Sequence, residues 1–305
     1  MKNLRDLKVV FAGCAKNCEK YLPTVLKNIN DYKKLFKSSY TLIVENGSKD
    51  KSKEILSTYK SQTNLIFFKD EFEDQPYRGK RLELARNFII EKIRNLNYLS
   101  TCDLLIILDF DNRSLFKIDS NKIVKAVNFL LSNKKIAGVF SNQPGTYYDM
   151  WGLLDDNYCK NDFWVEALNF ATKKMNSKQK IDNHILNDLR LNFLNKKKFQ
   201  LPLNSDPYEV KSAYGGFGIY KISHVFQNKN KYLGTQNITV KFKDITYDNI
   251  EYQRNEIVNF NEGFADLELK LFILPYLINS DLKDVNFIPE AAFRFIINKK
   301  KLSIF

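Results

Sequence analysis

The stretch that decides the fold is Leu104-Leu105-Ile106-Ile107-Leu108-Asp109-Phe110-Asp111. Its apolar run, Leu104 to Leu108, reads as a strand buried on both faces, the pattern of an interior strand in a parallel sheet. The two aspartates follow directly, where open α/β sheets bind ligands outside the carboxyl ends of their strands. Two carboxylates around one spacer can hold Mg²⁺ or Mn²⁺ while diphosphate oxygens complete the shell. An ion so held stabilises a departing diphosphate. Acidic triplets are common, and it is the position after a buried strand that makes Asp109 and Asp111 candidate metal ligands.

Working outward towards the N-terminus, strand and helix patterns alternate. Residues 8–12 read as a strand. Residues 18–36 read as a helix with Leu22, Val25, Leu26 and Ile29 on one face. Residues 40–44 form a second expected strand, ending in the turn Glu45-Asn46-Gly47-Ser48. A helix is expected over 51–59, a strand over 64–68, and a longer helix over 78–94 with Leu82, Ala85, Ile89 and Ile93 at helical spacing. This order predicts an α/β fold with a mostly parallel central sheet flanked by helices. Towards the C-terminus, residues 123–131 read as a helix, 136–141 as a strand and 163–175 as a helix. A loop rich in aromatic and turn residues, 143–156, lies between the last two. Gly215, Gly216 and Gly218 mark 211–220 as an extended segment whose backbone approaches a ligand or another chain segment closely. Residues 176–198, rich in Lys and Asn, suggest a surface insertion. No repeat or flexible linker interrupts the chain, so one continuous domain over 1–305 is expected.

Two further groups carry polar chemistry. Glu45, Asn46, Ser48 and Asp50 end the second strand, where acidic and amide side chains bind ribose hydroxyls and base edges, or simply build the turn, with Ser48 or Asp50 as a cap. Arg78, Arg81 and Arg86 share one expected helix. Guanidinium groups are natural phosphate partners, although helix-surface arginines are often merely solvated.

The chain has 305 residues, 44% of them hydrophobic, with 48 Lys and Arg against 35 Asp and Glu, a formal charge of +13. Such an excess suits an anionic partner: nucleic acid, a phosphorylated substrate or an anionic membrane surface. No apolar stretch approaches the roughly 18 residues of a membrane span, and residues 1–6 lack a secretory apolar region. A cytoplasmic protein is expected, with peripheral contact at the inner, anionic face of the membrane. Cys14 and Cys18 have no second Cys or His pair after them, with His184 and His224 each alone. Reduced thiols fit better than a zinc site.

Several segments together resemble a known family. They are residues 9–17, Glu45 to Asp50, Leu84-Ala85-Arg86-Asn87 and Leu108 to Asn112. These are similar to the nucleotide-sugar-binding half of GT-A, family-two-like glycosyltransferases. Ser141 to Pro144, Tyr147-Tyr148-Asp149-Met150-Trp151 and Ala213 to Lys221 extend the resemblance to the cryptococcal capsule-associated mannosyltransferase group and its bacterial and viral relatives. The resemblance implies a nucleotide-sugar half over 1–112 and an acceptor half with a C-terminal extension over 113–305. It implies that Ala12 and Asn17 line the nucleotide pocket and that Glu45 meets the base or ribose. Arg86 and Asn87 would lie near the nucleotide or diphosphate, Asp109 and Asp111 would hold the metal, and Tyr148, Asp149 and Trp151 would face the acceptor. The family's arginine after the tryptophan is replaced here by Gly152-Leu153-Leu154, and around Glu256 its cysteine and histidine are missing.

The implied activity is metal-dependent transfer of a hexose, mannose among them, from a GDP- or UDP-sugar to a saccharide or glycolipid. Capsule or lipooligosaccharide synthesis is the implied setting. Direct attack by a hydroxyl needs a general base, and Glu256 is preferred over Asp149 for it; Glu256 also reads as a charged strand-end residue. A sugar nucleotidyltransferase is the alternative enzyme, but the glycine-rich, arginine-containing loop it needs after the first strand is missing from Gly13 to Asn17. A nucleic-acid-binding protein is suggested by charge alone. No interleaved basic and aromatic motif supports it, so no nucleic-acid partner is expected.

Overall fold

The computed structural model describes residues 3–75, 77–174, 183–242 and 245–280. In chain order the elements are β1 (Lys8–Ala15), α1 (Leu22–Lys33), β2 (Ser38–Glu45), α2 (Ser52–Tyr59), β3 (Asn64–Phe68), α3 (Arg78–Asn95), α4 (Asn97–Ser100) and β4 (Leu104–Leu108). After these come α5 (Ser120–Ser132), β5 (Ile136–Asn142), α6 (Phe163–Lys174), α7 (Asn183–Asp188), β6 (Tyr208–Val210), β7 (Phe217–Lys221) and α8 (Ile222–Gln227). The described chain ends with β8 (Thr235–Phe242), β9 (Ile245–Gln253), α9 (Glu256–Ala265) and β10 (Lys270–Ile278).

Eight strands form one sheet in the order β3-β2-β1-β4-β7-β5-β10-β6. The first four run parallel, with Val10 opposite Tyr40 on one side and Leu105 on the other. Strand β7 is antiparallel to both β4 and β5. β10 is parallel to β5, and β6 is antiparallel to β10. The mostly parallel sheet flanked by helices is therefore present, and β4 lies near its middle with all five residues buried. Alternation along β4 feeds two cores. Leu105 and Ile107 join the core that holds Ala85 and Ile89 of α3 and Phe260 of α9. Leu104, Ile106 and Leu108 join the core of Val25 and Ile29 of α1 and Ile123 of α5. This two-sided burial is why the run shows no polar alternation.

Several expectations are corrected. The first helix begins at Leu22, with Pro23 in its first turn, and ends at Lys33. In the glycine-rich stretch only Phe217 to Lys221 is strand. Gly215 and Gly216 form a turn at φ 68° and 82°, a conformation that disfavours residues with a Cβ. Glu256 is not a strand-end residue: it opens α9, whose N-cap Asn255 accepts a hydrogen bond from the Ile257 amide. The expected insertion is helical over the residues described, 183–197. Its other part, 176–182, and the expected helix end at Met175 lie outside the described residues. Strands β6 and β10, the β8–β9 hairpin and α9 were not anticipated.

Candidate active site

Three elements converge at the carboxyl edge of the sheet. Strand β1 ends in Gly13 to Ala15 and runs on to Cys18, β4 runs on into Asp109 to Asp111, and α3 brings Arg78, Arg81 and Arg86 to the same place. A Cβ on Gly13 would lie 2.3 Å from the Leu108 carbonyl oxygen and 2.6 Å from the Phe110 ring, so the two strand ends approach as closely as a glycine allows. Between them and α3 opens a cavity of about 340 Å³, lined by Asn17, Asn46, Arg78, Arg81, Arg86, Asp109 and Asp111 among others. We call it the β1 cavity.

A second cavity of about 420 Å³, the α9 cavity, shares Arg78, Leu82, Arg86, Asp109 and Asp111 as a common wall. Its far side is built by Tyr148, Asp149, Trp151, Trp164, Tyr214 and residues Gln253 to Glu256. Asp109 is positioned from several directions. Its amide donates to the Gly216 carbonyl at 3.0 Å. The Tyr214 hydroxyl donates to Oδ1 at 3.1 Å and the Tyr148 hydroxyl to Oδ2 at 3.2 Å. Arg86 lies behind it, with Nη2 3.6 Å from Asp109 Oδ1 and Nε 3.1 Å from Glu256 Oε1. The Arg86 guanidinium also faces the Tyr214 ring at 4.5 Å, a cation–π contact. Its Nη1 is buried and has no acceptor among the described residues, a donor left over beside both cavities. Asp149 accepts from Asn255 Nδ2 at 3.1 Å, so the N-cap of α9 links the two candidate carboxylates.

Electrostatics separates these acids. Burial, and next the charge of Asp111, raise Asp109 to about 6 against the opposing pull of Arg86 and Arg78. Burial, followed by the charges of Asp109 and Glu256, raises Asp149 to about 7. Burial works against the charge of Arg86, but Glu256, Tyr214 and Asp109 outweigh it and hold the guanidinium well above its ordinary value. Cys14, at the floor of the β1 cavity, is pushed up to about 12 mainly by burial, so it stays a thiol and is no nucleophile at neutral pH.

The donor set suits a hard divalent cation. Asp111 Oδ1 accepts from the Arg113 amide at 2.9 Å, while its Oδ2 takes no hydrogen bond among the described residues. Two adjacent carboxylates, one lifted by the other's charge, gain from a cation between them. No third His, Cys, Asp or Glu completes a cluster among the described residues. Asp109 and Asp111 would thus leave the remaining positions to water and ligand oxygens, as Mg²⁺-type sites commonly do.

Of the residues singled out from the sequence, Asn17, Asn46, Arg78, Arg81, Arg86, Asp109 and Asp111 meet in the β1 cavity. Asp149 and Glu256 meet in the α9 cavity. Four lie elsewhere. Ala12 is fully buried in the core. Glu45 is fully buried, and its carboxylate accepts from the Ser48 amide at 2.6 Å, closing the turn after β2. Ser48 accepts from the Asn17 amide at 2.8 Å and so shapes the loop rather than lining a cavity. Asn87 points to the other side of α3, where its side chain exchanges two hydrogen bonds with the Tyr232 backbone. The sequence reading missed Arg113, Trp164, Tyr214 and Arg254. Tyr214 sits beside the glycine pair that marks the turn, and Trp164 opens an expected helix, but nothing local announces Arg254.

No protein-family profile matches the chain, and no curated protein does. Solved structures of similar course exist. Glucosyl-3-phosphoglycerate synthase from Mycobacterium tuberculosis, in complex with uridine diphosphate, is 12% identical over 72% of this chain and 58% of that one, with a TM-score of 0.37. S. aureus TarS 1-349 is 10% identical over 95% of this chain and 63% of that one, at 0.43. A mycobacterial protein is 11% identical over 88% and 66%, also at 0.43. The chain spans less than two thirds of the length of each. The resemblance to capsule-associated mannosyltransferases has no counterpart among the three.

Proposed function

We propose that this chain is a metal-dependent glycosyltransferase of the GT-A type, acting over 1–305 as one catalytic domain. It would move a hexose, mannose being one candidate, from a GDP- or UDP-sugar to a hydroxyl of a saccharide or glycolipid in surface-glycan synthesis. One observation carries the reading: Asp109 and Asp111, together with Arg78 and Arg86, form the shared wall of two adjoining cavities. A nucleoside diphosphate sugar has this bipartite shape, with a charged diphosphate between two polar ends. The nucleoside would occupy the β1 cavity against Asn17 and Asn46, and the donor sugar the α9 cavity. The diphosphate would lie along the arginines of α3, which suit phosphate oxygens. Asp109 and Asp111 would hold Mn²⁺ or Mg²⁺, which would neutralise charge on the leaving diphosphate.

For the base we now favour Asp149 over Glu256. The carboxylate of Glu256 is committed to Arg86 at 3.1 Å. Asp149, raised to about 7, is suited to take a proton near neutral pH. The acceptor oxygen would attack the anomeric carbon as Asp149 takes its proton, and the bond to the diphosphate breaks with its electron pair leaving on the diphosphate. The direct displacement inverts the anomeric centre. Glu256 instead holds Arg86 against Asp109. The formal charge of +13 supports a cytoplasmic enzyme resting on an anionic membrane face; among the described residues no helix is long and apolar enough to cross a membrane.

The test is release of nucleoside diphosphate from a panel of UDP- and GDP-sugars, GDP-mannose included, with Mn²⁺ and mixed glycan acceptors. Turnover of at least one donor is expected. Absence of both binding and turnover across the panel would refute the reading.

A further inference from the structure

Trp151 and Trp164 are the only tryptophans in the chain, and they stack on each other with ring centroids 3.8 Å apart and planes 25° from parallel. They come from separate segments, Trp151 from the loop after β5 and Trp164 from the first turn of α6. Both line the α9 cavity beside Asp149. A pair that only fills a core is sealed from solvent, whereas both of these rings are half-buried in a cavity whose other walls include carboxylates, guanidinium groups and the two tyrosines Tyr148 and Tyr214. An aromatic face carries partial negative charge and attracts weakly positive C–H groups. A pyranose ring presents such a C–H face, with hydroxyls round its rim for polar neighbours.

The pair is also fixed relative to the proposed base. Asp162 Oδ1 accepts from the Trp164 amide at 2.9 Å, capping α6. Its Oδ2 accepts from Arg254 Nε at 3.0 Å, and the next residue, Asn255, bonds Asp149. On the other side, a Cβ on Gly152 would lie 2.9 Å from Asp149 Oδ2, so the backbone beside Trp151 packs directly on that carboxylate. Aromatic faces and carboxylate therefore belong to one hydrogen-bonded frame.

We infer that the Trp151–Trp164 pair is the platform on which the terminal sugar ring of the acceptor stacks, with one hydroxyl turned toward Asp149. Calling that sugar the acceptor rests on the glycosyltransferase reading; the binding of a sugar ring does not. With no other tryptophan in the chain, intrinsic emission reports on the platform directly. Wild-type protein is titrated with the methyl pyranosides of glucose, galactose, mannose and N-acetylglucosamine, with glycerol as the ring-less control. A saturable emission change is expected with at least one glycoside and none with glycerol. In Trp164→Ala, read through Trp151, the half-saturation concentration should rise about tenfold, and Trp164→Phe should recover most of the loss. Calorimetric titration with UDP and GDP checks that each variant keeps its fold. If no glycoside perturbs wild-type emission, or if Trp164→Ala binds one as tightly as wild type, the inference is wrong even where nucleotide-sugar turnover stands. Saturable glycoside binding with neither binding nor turnover of any donor would uphold the platform and sink the glycosyltransferase reading instead.

Discussion

Arg86 Nε and Glu256 Oε1 lie 3.1 Å apart, with only 7% of either side chain exposed. The pair joins the middle of α3 to the first turn of α9, and through Arg86 Nη2 it reaches Asp109. A buried charge tolerates loss of its partner poorly, because the remaining ion keeps its desolvation cost without its compensation.

Arg86→Met should therefore lower unfolding free energy by about 3–5 kcal/mol, measured by urea denaturation. The double variant Arg86→Met with Glu256→Gln should recover part of that loss, since Glu256 is then no longer a buried ion without its partner. Additive losses in the double variant would show that the pair does not couple α3 to α9.

Removing the proposed base has a different signature. Asp149→Asn should cut kcat at least about 100-fold, the usual scale of general-base loss, and leave UDP or GDP affinity intact. Glu256→Gln should weaken nucleotide affinity together with turnover, because it loosens Arg86. Near-normal turnover in Asp149→Asn, with loss confined to Glu256→Gln, would return the base to Glu256.

The raised carboxylates set the pH dependence of stability. Asp149 has an ordinary value of 3.8 and about 7 in the fold, and Asp109 is raised in the same direction. Between those values the native state binds more protons than the unfolded chain, so metal-free stability should fall as pH rises from about 4 to about 7. Asp149→Asn removes its share of that slope. Denaturant midpoints taken across this range, in wild type and variant, measure both effects. A metal-free wild type whose stability rises steadily over the window would contradict the assignment.

Gly216 has φ 82°, and a Cβ there would meet the Tyr148 hydroxyl at 2.8 Å and Asp109 Oδ2 at 3.3 Å. Gly216→Ala should cost about 1–3 kcal/mol through backbone strain and lose more activity than stability. Turnover and thermal midpoint measured together decide it.

Much of the parallel half was legible because its strands are buried and its helices amphipathic. The boundaries of β3 and β4 were read as they stand, and Arg78, Arg81 and Arg86 of α3 meet as their shared helix suggested. The rest depends on contacts between distant segments. β10 was not anticipated, because its partners β5 and β6 are remote in sequence. Helix α9 carried a readable signal in Asn255 as a cap, followed by Ile257, Phe260 and Phe264 at helical spacing. Taking Glu256 as a strand end hid it. Glu45 stayed open because an acid after a strand can serve a ligand or its own turn equally well, and here both hydrogen bonds it accepts stay within the turn. Asn87 follows Arg86 in sequence, but neighbours on a helix point about 100° apart, and only one of the two faces the cavities.

The most direct test of the central claim is calorimetric titration of UDP and GDP into wild type and Asp111→Asn, each with Mn²⁺ and with EDTA. The shared wall of the two cavities predicts that one nucleotide binds wild type at least about tenfold more tightly with Mn²⁺, and that Asp111→Asn, still folded, loses the gain. Tenfold is about 1.4 kcal/mol, a modest demand on a divalent cation bridging carboxylates and diphosphate. Equal affinity in Mn²⁺ and EDTA, or a full Mn²⁺ effect in Asp111→Asn, would contradict the account.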